Sequence, residues 1–178
     1  VKKQKVKLEV LYENNDILII NKPAGMLSQK AKKDDYSLVE AISDYLLESG
    51  ALTKEQLRTF HPGICNRLDR NTSGIVVAGK SIYGLQTMTA AFKERTLHKY
   101  YLCIVKGNVE KRSRVKGYLY KNERTNKVTI LQNAPKEKEK DILPIETEYI
   151  PVCANKQATL LKVNLLTGRS HQIRAHLS

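Results

Sequence analysis

No stretch of this sequence approaches the roughly 18 consecutive apolar residues that a membrane-spanning helix needs. The opening "VKKQKVKLEV" is basic but lacks the apolar core of a secretory signal. Cysteine is scarce and unpaired in spacing. Cys65, Cys103 and Cys153 form no CxxC, which argues against a disulfide frame or a zinc site and for reduced thiols in a cytosolic setting. Cys103 and Cys153 lie in apolar contexts and are expected as small core residues. The "LTG" turn, with one Gly and no GK[ST] after it, is not a phosphate-cradling loop, and the chain shows no internal repeat, no low-complexity tract and no linker that would divide it. Acidic residues are the remaining deficit: 18 Asp and Glu stand against 31 Lys and Arg, a net charge of +13. A field of that sign favours a polyanion, either nucleic acid or an anionic membrane surface. The cations are dispersed through strands and loops and do not line one amphipathic helix, which disfavours the membrane.

What is present is ordinary for a globular chain: 178 residues, 41% hydrophobic and 28% charged, consistent with one domain spanning 1–178. Strand-like runs fall near residues 6–12 and 16–20. The second, "DILII", is almost wholly apolar, as a strand covered on both faces would be. "NKPAG" then stops it. "SLVEAISDYLLESG" predicts a helix with a Ser37/Glu40 capping box, with Leu38, Ile42, Tyr45 and Leu46 on one face and Gly50 closing it. "SIYGLQTMTAAFKERT" predicts a second helix with Leu85, Met88 and Phe92 inward. "KYYLCIVKG" is a strong strand, "RVKGYLYKNERTNKVTIL" a hairpin turning near "KNERTN", and "NAPKEKEKDILP" a solvated charged loop. "ATLLKVNLLTG" is a strand, and "SHQIRAHLS" begins a helix with Ser170 as N-cap. The hairpin-like pairs without a βαβ rhythm predict an α+β fold with a mixed, mostly antiparallel sheet flanked by helices and loops. The last helix is about two turns long when the chain stops at Ser178, so the fold is expected to be truncated at its C-terminus.

Three segments could carry chemistry. In "NRLDRNTSGIVVAGKS", Asp69 lies between Arg67 and Arg70 at the mouth of an apolar strand. Two nearby guanidiniums favour its charged form, so it is expected to be ionised and to suit a nucleophile or base. An ordinary surface ion pair is the plain alternative, disfavoured by the apolar run that anchors the turn. In "LLTGRSHQIRAHL", Arg169, His171 and Arg174 gather where a strand meets a helix, a place suited to an anion; the alternative is a corner with solvated cations. His171 and His176 are five apart and do not share a helix face, so no metal site is expected. In "HKYYLCIVKG", Tyr101, Cys103 and Val105 share one strand face, and Tyr100, Leu102 and Ile104 the other. A tyrosine there can stack on a base or move a proton, or simply be a core residue.

Taken together and in that order, these segments resemble the signatures of the RluA-type pseudouridine synthases, the family of ribosomal large-subunit pseudouridine synthases. The first is similar to HRLD, a two-residue spacer and TSG, with Asn66 where that pattern has His. "DILIINKPAGMLSQ" resembles the start of the family's catalytic domain, so the likeness runs from about Val10 to Ser178. It implies an RNA-modifying isomerase that converts uridine to pseudouridine without metal or cofactor, in large-subunit ribosomal RNA or alternatively transfer RNA, as a cytoplasmic monomer. It implies that Asp69 is the essential carboxylate, that Tyr101 contacts the target base, that Arg174 pairs with the carboxylate, and that Arg67 fills the space of a flipped nucleotide. Arg67, Arg70, Arg169 and His171 are the expected RNA contacts. A separate RNA-binding module, which many members carry ahead of the catalytic domain, is not visible before Val1. The rival readings are an RNA- or ribosome-binding module without catalysis, and a metal-dependent nuclease or phosphotransferase, which would need more clustered carboxylates.

Overall fold

The structure, a computed structural model, describes residues 6–122, 125, 127–133 and 142–178. They divide into two compact units, the first running to Leu97 and the second beginning at His98.

The first unit is built on a four-stranded antiparallel sheet of β1 (Glu9–Glu13), β2 (Ile17–Lys22), β3 (Gly63–Ile64) and β4 (Gly74–Gly79), ordered β1-β2-β4-β3. Asn14 shapes the first turn, its side-chain oxygen accepting from the amides of Asp16 and Ile17 at 2.9 and 2.8 Å. β2 alternates: Leu18, Ile20 and Lys22 are buried, while Ile17 and Ile19 are only half-covered. The expectation of a strand covered on both faces is therefore corrected to one fully covered face. Against that face packs α1 (Leu38–Glu48), and Leu18, Ile20, Leu38, Ile42, Leu46, Val76 and Ala78 form the core. The capping box is present: Glu40 accepts from both the amide and the hydroxyl of Ser37, at 3.0 and 2.7 Å. A short α2 (Gln56–Thr59) precedes β3. α3 (Ile82–Lys93) follows β4, with Ser81 accepting from the amide of Gly84 at 3.0 Å. Leu85, Met88 and Phe92 are half-buried rather than enclosed; only Gly84 of this helix is fully buried.

The second unit is a five-stranded antiparallel sheet of β5 (Tyr100–Lys106), β6 (Ser113–Asn122), β7 (Lys127–Leu131), β8 (Ile142–Ala154) and β9 (Ala158–Leu165), ordered β5-β9-β8-β6-β7, with α4 (Gln172–His176) at its end. The alternation expected for β5 holds. Tyr101, Cys103 and Val105 lie on its more protected face, while Leu102 and Ile104 are 69% and 75% exposed on the other. The hairpin of β6 and β7 is also observed. Most of its expected turn, and residues 134–141 of the expected charged loop, lie outside the described residues. β8 was not anticipated. Pro144 and Pro151 argue against an interior strand, and β8 accommodates the second with a register shift between Pro151 and Cys153. Cys153 lies near the end of β8, where Val152 and Ala154 on either side are exposed as well, and is itself exposed, contrary to its expected place in the core; Cys103 is half-buried.

The fold is thus α+β with antiparallel sheets, as expected. No described helix is long and apolar enough to cross a membrane.

Candidate active site

In the first unit Asp69 sits half-buried in the loop from β3 to β4, and side chains from elsewhere hold that loop at successive residues. Asn66 continues the β3–β4 ladder with its side-chain amide, donating to the carbonyl of Ile75 at 3.1 Å and accepting from the amide of Val77 at 2.8 Å. Ser28, which is buried, grips Leu68 twice: its hydroxyl donates to the Leu68 carbonyl at 2.7 Å and accepts from the Leu68 amide at 3.1 Å. The Arg70 carbonyl accepts from the amide of Gly25 at 2.8 Å and from the Lys22 ammonium at 3.2 Å. The amide of Thr72 closes the turn onto the Asp69 carbonyl at 3.0 Å. The backbone on both sides of Asp69 is therefore fixed by hydrogen bonds from outside the loop, which is what pre-organising a reacting group requires.

Lys22 is the residue of this candidate site that the sequence reading leaves out. Its side chain is 0% exposed. Its three ammonium protons go to the carbonyls of Pro23, Met26 and Arg70, at 2.9, 2.8 and 3.2 Å. Burial pulls its pKa below the usual lysine value, and the negative charge of Asp69 works in the opposite direction. A buried cation thus lies within electrostatic reach of the carboxylate. The available signal is "NKP", where a lysine ends an apolar strand on its buried side. Of the two flanking arginines, Arg67 is exposed, and Arg70 donates its Nε–H to the carbonyl of Gly25 at 3.1 Å.

In the second unit Tyr101 is half-buried on β5, opposite Val163 of β9. Arg169, His171 and Arg174 gather at the turn from β9 into α4, and an Arg174 nitrogen lies 3.4 Å from Nδ1 of His171. Ser170 is not the N-cap; that position is taken by His171 in the left-handed region, φ 56°. The turn is closed instead by Gln172, 1% exposed, whose amide meets four partners. Its oxygen accepts from the Thr167 hydroxyl at 2.9 Å and the Arg169 amide at 3.0 Å, and its nitrogen donates to the Glu146 carbonyl at 3.1 Å and the Thr147 hydroxyl at 2.9 Å. A serine hydroxyl at the cap position has no such reach into the sheet. His176 packs its ring against the same strand, Nδ1 lying 3.0 Å from the Thr147 hydroxyl. Burial lowers its pKa, against a bond to the backbone of Lys116. Among the described residues no group of three His, Cys, Asp or Glu side chains could hold a metal ion.

Comparison with known proteins places these features in a family. The family model described as RNA pseudouridylate synthase matches residues 16–178. An uncharacterized RNA pseudouridine synthase of Mycoplasma genitalium is 31% identical over 98% of this chain and 53% of its own length. Ribosomal large subunit pseudouridine synthase C of Vibrio vulnificus is 30% identical over 94% of this chain and 48% of its own length. The chain spans about half the length of these curated relatives. The solved structure of human RNA pseudouridylate synthase domain containing 4 superposes with a TM-score of 0.75 over 96% of this chain and 63% of that one, at 19% identity, a likeness of fold.

Proposed function

The chain belongs to the RNA pseudouridylate synthase family, and from that premise we propose that it isomerises specific uridines in large-subunit ribosomal RNA to pseudouridine. The observation that carries this reading is the clamped loop around Asp69, with the buried Lys22 ammonium within electrostatic reach of its carboxylate. The reaction breaks the bond from N1 of uracil to C1′ of ribose and rejoins the ribose to C5 of the same base. The sugar gains positive character as the bond breaks, and a fixed, ionised carboxylate is the group suited to it. Glycosidases use a second carboxyl to protonate the leaving oxygen. Uracil can carry the charge itself and is retained, so one acid suffices and neither metal nor organic cofactor is called for.

The residue roles follow the family pattern: Asp69 acts at the sugar, Tyr101 at the base near C5, and Arg174 as a catalytic cation. Arg67, Arg70, Arg169 and His171 contact the RNA. The protein acts as a monomer in the cytoplasm. The target base must leave its stack to reach a side chain, at a cost of a few kcal/mol, and contacts between the basic surface and phosphates offset this.

A map of pseudouridine in total RNA from cells lacking the gene, complemented with the full-length protein or its Asp69→Asn variant, tests the reading. One or a few ribosomal uridines should lose the modification and regain it only with wild type, while both proteins bind RNA alike. Loss at transfer RNA sites would reassign the substrate. Full restoration by Asp69→Asn would leave a binding module in place of an enzyme.

A further inference from the structure

Gln172 is buried and hydrogen-bonded at both ends of its amide. Its surroundings fix its orientation. The Arg169 amide can only donate and the Glu146 carbonyl can only accept, so oxygen faces the turn and nitrogen faces β8. The chain of bonds goes further. Thr147 accepts from Gln172, and its hydroxyl also meets Nδ1 of His176 at 3.0 Å, the direction of that bond following the ring's tautomer. One chain of bonds therefore runs from the turn, through β8, to the last residue of α4. α4 itself has only five residues and lacks a side-chain cap at its N-terminus. Little within the helix sets where it starts; Gln172 and the partners it holds do so.

We propose that Gln172 is a positioning residue: by tying the turn at Thr167 and Arg169 to β8, it sets the placement of α4 and hence of Arg174 and His171. The inference rests on the synthase reading for its functional consequence, but the placement is a property of the chain alone. Replacing the amide by a carboxylate keeps the shape and the acceptor and removes the donors. Protonating that carboxyl returns one donor. The ionisable groups around the site are His176 beyond Thr147, and Arg169, His171 and Arg174 on the turn and helix; Glu146 offers only its carbonyl, its carboxylate being held by Arg114 and Lys116.

The test compares the full-length wild type with Gln172→Glu and Gln172→Met, each confirmed folded by its thermal transition. At neutral pH both variants should lose roughly 10- to 100-fold in kcat, as expected for a misplaced catalytic group, with KM for RNA nearly unchanged. Relative to wild type, Gln172→Glu should recover as pH falls while Gln172→Met does not. Amide hydrogen exchange should quicken over residues 172–177 in both variants at neutral pH, and slow again in acid only for Gln172→Glu. Folded variants with wild-type kcat and wild-type exchange over α4 would overturn the inference. A wild-type protein that modifies no RNA would sink the synthase reading instead, and the exchange data would still decide the placement of α4.

Discussion

Ser28 has a single hydroxyl and uses its donor and its acceptor on the same residue, the amide and carbonyl of Leu68. Ser28→Ala leaves both of those backbone groups without their partner in a buried setting, which costs about 1–3 kcal/mol. Equilibrium urea unfolding should show that loss, and modification activity should drop further than stability explains, because the peptide released is the one joined to Asp69. Asn66 shows a similar economy. A primary amide places a donor and an acceptor side by side, matched to the neighbouring carbonyl and amide of one β-strand, whereas a neutral imidazole carries them on opposite edges. The departure from the family's histidine is thus compatible with an intact loop. His176 carries a pH dependence of known sign. Burial holds its folded pKa below the ordinary 6.5, so between that folded value and about 6.5 the unfolded chain binds the extra proton. Its contribution to stability is complete above 6.5 and is lost as pH falls through that window. The urea midpoint of wild type should decline on going from neutral to mildly acidic pH, and His176→Asn should decline less; equal slopes would remove His176 as the cause.

At the level of elements, α3 lies against the sheet because two glycines allow it. A Cβ on Gly84 would stand 2.1 Å from the carbonyl oxygen of Asp16, and one on Gly79 would stand 2.5 Å from Leu85. Gly84→Ala must push backbone away from backbone, so it should cost at least the 1–3 kcal/mol typical of overpacking, seen as a lowered Tm. Gly50→Ala is the contrast. It has open space but φ +72°, and only the backbone penalty of about 1 kcal/mol applies. α1 was legible because its cap, its acidic third residue and its apolar spacing are all local. β8 was not, since two prolines speak against a strand whose pairing on both sides is decided far away in sequence. The start of α4 was misplaced at Ser170 for the same reason: Gln172 fixes it through partners on β8, and no local pattern encodes them. Asp69, Tyr101 and Arg174 could be picked out by motif, but Lys22 could be recognised only once its strand had a buried side.

For the whole molecule, the excess of 31 cations over 18 anions is the property that RNA would sense first. Affinity for RNA should fall steeply and linearly in a plot of log K against log salt. Arg67→Gln should reduce that slope by about one, the effect of a single phosphate contact. An unchanged slope would place Arg67 away from the backbone of the RNA. The two sheets also differ in when they can exist. Every strand of the first has been made once Gly79 is made, whereas β5, with its exposed Leu102 and Ile104, pairs among the described residues only with Ala158–Leu165. A ribosome adding about 5–20 residues per second therefore finishes the sheet that presents Asp69 some seconds before the strand bearing Tyr101 has a neighbour. Through that interval the nascent chain carries the finished first sheet and an apolar strand still without its neighbour, the kind of exposed edge that makes unfinished chains prone to aggregate.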